Sequence, residues 1–255
     1  MKKISNEFII NQYQSGIESY SKFTVEVGLW ESEKYVFEKY FKKSDNILDL
    51  GCGTGRTTFP LRELGYEKIV GIDLTPEMIE RAKELNEFYG TDLNFKIGDA
   101  GNLNFSDSSF DSIIFSFNGL MSIPGATNRK KALYEINRVL QEKGLFIFTT
   151  HDRNKEEKFI EFWKIEKEKW DSGKQNSELF EYGDLITTSK NENKEIFIHI
   201  PDEEEIFNLM NTGGFEVVET FYRIDKFQEN EKVKEKSGEC RFWITRKKTT
   251  HNNNG

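Results

Sequence analysis

Along most of the chain, short apolar runs alternate with apolar sets at helical spacing. Asn46–Leu50 reads as a buried strand and Thr57–Leu64 as the helix after it. Lys68–Asp73 is the next strand. Pro76–Tyr89 follows as a helix, with proline near its start and Gly90 as its stop. Its apolar residues Met78, Ile79, Ala82, Leu85 and Phe88 fall on one face. Leu93–Ile97 and Phe110–Phe117 read as a third and fourth strand. Thr127–Leu140 is amphipathic, with Ala132, Leu133, Ile136, Val139 and Leu140 on one side. Gly144 then turns the chain into a strand over Leu145–Thr150.

This β-α-β-α-β rhythm predicts an α/β fold, a parallel sheet with helices on both faces. After Thr150 the rhythm breaks. Residues 151–200 hold a charged helix carrying Phe159, Phe162, Trp163 and Trp170. A predicted hairpin follows, Leu179–Ser189 and Lys194–Ile200, turned at Asn191-Glu192-Asn193. Helix Asp202–Asn211 and strands Phe215–Tyr222 and Cys240–Thr245 resume the core. The pattern divides into an N-terminal helical lid over 1–44, a core over 45–150 and 201–248, an inserted cap over 151–200, and a polar tail over 249–255 expected to be disordered.

Composition narrows the function classes. The chain has 255 residues, enough for one large domain with an elaboration. Its net charge is −8, the opposite of the basic face that nucleic-acid binding needs. No apolar run approaches the ~20 residues of a membrane helix. Two cysteines, Cys52 and Cys240, allow neither a disulfide framework nor a four-cysteine zinc site. The expectation is a cytoplasmic protein, monomeric or homodimeric, with no nucleic-acid or membrane partner.

The residues with the clearest chemistry are Ile47-Leu48-Asp49-Leu50-Gly51-Cys52-Gly53-Thr54-Gly55-Arg56, which end a strand and open a helix. Glycines there permit a tight turn and close approach of a ligand to the backbone. In an open α/β sheet, that turn lies at the carboxyl ends of the strands, where ligands bind. Asp73 ends the next strand, 18 residues beyond Gly55, where a carboxylate suits a ribose diol. A dinucleotide-binding fingerprint wants glycine where Arg56 stands, and Asp49 would repel a pyrophosphate but attract an ammonium.

Four places together make the chain resemble the class I S-adenosylmethionine-dependent methyltransferases. They are Leu48–Gly55, Val70–Met78, Gly98-Asp99-Ala100 with Leu103, and Phe110–Ile114 with the later Arg138-Val139-Leu140 and Gly144. The resemblance implies a Rossmann-like, doubly wound, seven-stranded sheet whose last strand is antiparallel. It implies S-adenosylmethionine as cofactor and no metal. By the same resemblance, Asp49 and the backbone of Gly51, Cys52, Gly53 and Gly55 would hold the methionine part, and Asp73 the ribose. Leu74 and Met78 would pack near the adenine, with Asp99 and Ala100 bonding its edge. Ser116 and Phe117 would border the sulfonium, and Tyr20 would close over it.

Further candidates are weaker in pattern. His151 and Asp152 follow the fifth strand and are the candidates for a general base, with Arg153 beside them as a substrate contact. Trp30, Asn118 and His199 are the other substrate-side candidates. His151 and His199 lack the spacing of a metal site. The predicted reaction moves a methyl group to a small molecule or short peptide by in-line displacement. An Asn-Pro-Pro-Tyr sequence, carried by the resembling enzymes that methylate amino groups on DNA, is missing; Phe117-Asn118-Gly119-Leu120 stands there. The competing readings are an NAD(P)-linked oxidoreductase, a non-catalytic binding module, and aminopropyl transfer on the same fold.

Overall fold

The computed structural model describes residues 3–188 and 194–249. The hairpin turn at 191–193 and the tail from 250 lie outside the described residues. Three helices come first: α1 (Asn6–Gln14), α2 (Ile17–Glu26) and α3 (Glu31–Tyr40). Ser5 caps α1 by accepting from the Phe8 N–H. The core then alternates: β1 (Asn46–Leu50), α4 (Thr58–Glu63), β2 (Lys68–Asp73), α5 (Pro76–Phe88), β3 (Asn94–Ile97), β4 (Phe110–Phe115), α6 (Ala126–Val139) and β5 (Leu140–Thr150). An excursion follows, α7 (Glu157–Asp171), β6 (Asp184–Thr188) and β7 (Glu195–His199). The chain closes with α8 (Glu203–Thr212), β8 (Phe215–Tyr222), α9 (Arg223–Lys226), α10 (Glu231–Lys236) and β9 (Arg241–Lys247).

Seven strands form one sheet in the order β3-β2-β1-β4-β5-β9-β8. β1 to β5 run parallel. β9 is antiparallel to both of its neighbours, so the last strand in the chain is the reversed one. The strand order reverses between β1 and β4, and that switch point opens a crevice at the carboxyl ends of the strands. Ile47 and Leu48 of β1 are fully buried, because helices cover both faces of a parallel sheet. One side packs α3, α4 and α5 in a core holding Phe37, Leu61 and Ile79; the other packs α6 and α8 through Leu133, Ile136 and Met210.

Several boundaries differ from the sequence pattern. β5 starts at Leu140 rather than Leu145: Phe110 pairs with Leu140, the register shifts, and pairing resumes at Ser112 with Leu145. The pattern gave no sign of α9 and α10, whose four and six residues are too short for a helical period to show. β6 and β7 pair only with each other. α1 is joined to this excursion through a small core of Ile4, Ile9, Leu179 and Phe197, and the Ile4 N–H donates to the Glu178 carbonyl. No helix among the described residues is long and apolar enough to cross a membrane.

Candidate active site

A cleft with about 1090 Å³ of empty space opens at the switch point. Its floor is the glycine loop after β1. Gly51, Gly53 and Gly55 take φ of +68°, +55° and +92°, a region that side chains with a Cβ rarely occupy. The three differ in what surrounds them. A Cβ at Gly53 would meet nothing within 4 Å, so this backbone faces open space. A Cβ at Gly55 would stand 2.5 Å from the Phe59 ring and 3.2 Å from Phe95. Gly55 therefore provides the close helix–strand packing that the fingerprint assigns to the next position, which frees Arg56 for another task.

Asp73 ties the ends of β1 and β2 together. One carboxylate oxygen accepts from the Gly53 N–H at 2.9 Å, the other from the Thr75 N–H at 2.8 Å. Burial pushes its pKa above the ordinary carboxylate value, against the pull of these backbone donors. Asp99 accepts from the Gly101 N–H at 2.7 Å and from Asn6 of α1 at 3.3 Å. Leu74, Met78, Ala100, Ser116, Phe117 and Tyr20 also line the cleft, with Gly51, Cys52 and Gly53. Burial, then Asp49 and Asp73, push the Cys52 thiol well above its usual range, which is the state of a packing residue and not of a nucleophile.

The remaining candidates stand elsewhere. Asp49 is buried behind the loop and is not among the cleft-lining residues. It accepts hydrogen bonds from the hydroxyls of Thr57 and Thr58 at the start of α4, and burial raises its pKa to about 6. Its position at a strand end is as the pattern suggests; its direct partners are the helix it anchors. Trp30 is 1% exposed and packs in the core, over Arg56 at 4.9 Å and Arg223 at 5.0 Å. His151 and Asp152 are not among the cleft-lining residues either. His151 Nδ1 donates to the Glu239 carbonyl at 2.7 Å and its Nε2 meets Asn118 Nδ2 at 3.1 Å. Asp152 accepts from the Tyr222 hydroxyl at 2.7 Å and from the Asn154 N–H at 2.8 Å. Asn118 is buried in the turn after β4, between cleft-lining Phe117 and Gly119.

Arg153 and His199 belong to a second buried cluster at the base of the excursion. Arg153 pairs with Asp202 and Glu205. His199 lies between Asp184 at 2.8 Å and Glu205 at 2.6 Å. Burial pulls this imidazole down, but the two carboxylates outweigh it and hold its pKa above the ordinary value. Sequence spacing gave no metal set around either histidine, yet folding brings Glu181, Asp184 and His199 close enough to hold an ion. Arg129 already supplies a cation there, 2.6 Å from Glu181, and the Phe180 and Glu181 N–H groups bond Asp184.

Sequence reasoning left out part of the cleft. Asn6, Ile9, Tyr13, Phe23 and Thr24, all from the N-terminal helices, line it, as do Arg56, Ser122, Ile123 and Pro124. Tyr13 bonds Ser122 at 2.7 Å, Thr24 bonds Thr54 at 2.6 Å, and Arg56 forms a two-pronged ion pair with Glu33 of α3 at 2.6 and 2.7 Å. The apolar faces of α1 and α2 carried a signal for burial but none for which surface they would cover.

The comparisons agree with this arrangement. Residues 41–252 match a family described as a methyltransferase domain. An uncharacterized protein of Methanocaldococcus jannaschii is 30% identical over 209 residues, covering 82% of this chain and 76% of that protein. The ubiquinone/menaquinone biosynthesis C-methyltransferase of Rickettsia felis is 30% identical over 206 residues, covering 74% of this chain and 75% of the relative. In fold, a SAM-dependent methyltransferase from Methanosarcina mazei superposes with a TM-score of 0.68 at 22% identity, over 84% of this chain and 97% of that one. With its sheet order, its glycine loop and its two strand-end aspartates, the chain belongs to the methyltransferase-domain family and is an S-adenosylmethionine-dependent methyltransferase.

Proposed function

We propose that the cleft binds S-adenosylmethionine across the glycine loop and passes its methyl group to a small molecule or short peptide by in-line displacement. The observation that carries this is the convergence of Gly53, Asp73 and Asp99–Ala100 on one cleft roofed by Tyr13, Tyr20 and Phe23. The residues fit the cofactor. The Gly53 backbone faces open space, and each Asp73 oxygen keeps a lone pair beyond the one its backbone donor uses, enough for two ribose hydroxyls. Asp99 and Ala100 stand at the adenine end, with Leu74 and Met78 as its apolar wall. Ser116 and Phe117 are at the sulfonium end.

When bound, S-adenosylmethionine supplies a methyl group already activated on sulfur. The chain's own part is alignment and exclusion of water. Positioning of this kind lowers a barrier by about 7–11 kcal/mol at most. We read residues 1–44 as a lid and 151–200 as a cap: α1 contributes Ile9 and Tyr13 to the cleft and packs on Leu179 and Phe197 of the excursion. An enclosed, largely apolar cleft in a chain of charge −8 favours a small or slender acceptor over nucleic acid. In this reading Asp49 acts by holding the loop, and Arg153 and His199 by holding the cap.

Calorimetric titration with S-adenosylmethionine and S-adenosylhomocysteine tests the reading. Micromolar binding of both is expected, weakened at least tenfold in Asp73→Ala, where two hydrogen bonds to a charged group are lost. Unchanged affinity in that variant would remove the ribose assignment.

A further inference from the structure

Two buried polar atoms have no hydrogen-bond partner among the described residues and border the same ring: Asn118 Oδ1 and Trp30 Nε1. Trp30 packs edge-on against Phe117 at 5.6 Å, and Asn118 follows Phe117 in the chain. Phe117 and Asn118 both hold positive φ, +54° and +62°. Consecutive non-glycine residues in this region store backbone strain, and strain of this kind gathers at functional sites.

The orientation of Asn118 is determined by its neighbour. His151 Nδ1 meets a carbonyl, which can only accept, so Nδ1 carries the proton. Burial holds the His151 pKa below its ordinary value, so the ring is neutral and Nε2 is an acceptor. Asn118 must then donate with Nδ2, and its Oδ1 is left over. Both ring nitrogens of His151 are thereby engaged within the protein, which removes it as a general base.

We infer that Asn118 Oδ1 receives an N–H of the methyl acceptor, that the acceptor is a neutral amine, and that His151 is the positioning residue that keeps this oxygen free. The inference rests on the cofactor reading above. A side-chain amide accepts a hydrogen bond but takes no proton at neutral pH. An alcohol would need a base to become nucleophilic. A neutral amine needs none: it donates one hydrogen to Asn118 and keeps its lone pair for the methyl carbon. The N–CH3 bond forms as the S–CH3 bond breaks, the bonding pair stays on sulfur, and positive charge passes to nitrogen. The resulting ammonium then loses its proton to water.

Sinefungin is the probe, because a carbon bearing an amine replaces the methylated sulfur. Its affinity is compared with that of S-adenosylhomocysteine by calorimetry. The wild-type chain is expected to prefer sinefungin by about tenfold or more, the scale of a hydrogen bond to a charged donor. Asn118→Gly, which suits φ +62°, is expected to lose that preference while keeping its affinity for S-adenosylhomocysteine. His151→Phe is expected to lose it too, and His151→Gln, which can accept from Asn118 and donate to the Glu239 carbonyl, to restore it. The preference should also fall in the wild type as pH drops through the depressed His151 pKa, below about 6.5, and stay level in His151→Gln. Arg223, Glu156 and Glu239 are the charged groups facing that ring. Equal affinities in the wild type, or a preference that survives Asn118→Gly, would overturn the inference. Failure of S-adenosylhomocysteine to bind would instead overturn the cofactor reading and take this one with it.

Discussion

The N-terminal helices and the excursion after β5 meet over one cleft, but they are fastened to the core by different electrostatics. The N-terminal helices are held by one buried pair, Glu33 with Arg56, in which both prongs of the guanidinium are used and the Gly28 carbonyl takes a further N–H at 3.0 Å. Neither partner titrates near neutrality, so this fastening is indifferent to pH across the physiological range. The excursion is held by a network in which the central member, His199, does titrate there. The contrast shows that one cover can stay fixed while the other loosens. It also shows why Arg56 stands where a dinucleotide fold needs glycine: the arginine reaches out of the glycine loop into the helices that cover it.

The largest effect in this comparison is expected from Arg56→Leu. It leaves Glu33, with no exposed side-chain surface, buried without a counter-charge. Removing one partner of such a pair costs about 3–5 kcal/mol. Urea denaturation should show it as a fall in midpoint, and the double variant Arg56→Leu/Glu33→Met should recover much of the loss. A single variant as stable as the double one would mean that the N-terminal helices are held by their apolar contacts alone.

A smaller, pH-dependent effect is expected at His199. Its pKa is raised in the folded state, so its contribution is fully present below about 6.5 and is lost as pH rises through the folded value. His199→Gln should destabilise the chain by about 1–3 kcal/mol at pH 6, the worth of a hydrogen bond between charged groups. That gap should close as pH rises above neutrality, with Asp184, Glu205, Glu181, Arg129 and Arg153 as the charged groups around the ring. A gap constant from pH 6 to 9 would assign His199 a packing role only. The smallest effect is expected at the exposed tie between the same two regions and the sheet: Lys39 of α3 reaches Glu219 of β8 at 2.7 Å, with 41% of its side chain exposed. Lys39→Ala should cost less than about 1 kcal/mol and less still in high salt.

How much of this was legible in the sequence depends on the range of the interaction. β1, β2 and β8 have the bounds that the apolar pattern suggests, and Asp73 and Asp99 stand at strand ends where short-range spacing puts them. The roof of the cleft was not legible. Tyr13, Phe23 and Thr24 are ordinary helix-face residues until α1 and α2 dock, because periodicity says that a face is buried and not against what. His199 and Arg153 drew notice as isolated residues with possible chemistry. Their partners Asp184, Glu205 and Asp202 lie up to 49 positions away, and only folding joins them.

The sequence by itself determined the alternation of strands and helices, the glycine loop with its two following aspartates, and through them the family and the cofactor. Those features are local: backbone torsions, strand ends and helix starts are decided within a few residues. The tertiary structure alone decided that Gly55 takes the packing role and Arg56 the bridging one, that Asp49 anchors α4 from behind the loop, and that His151 spends both nitrogens on Glu239 and Asn118. Each depends on what a side chain meets across the fold, and a hydrogen bond or a buried charge takes its meaning from the partner it finds there.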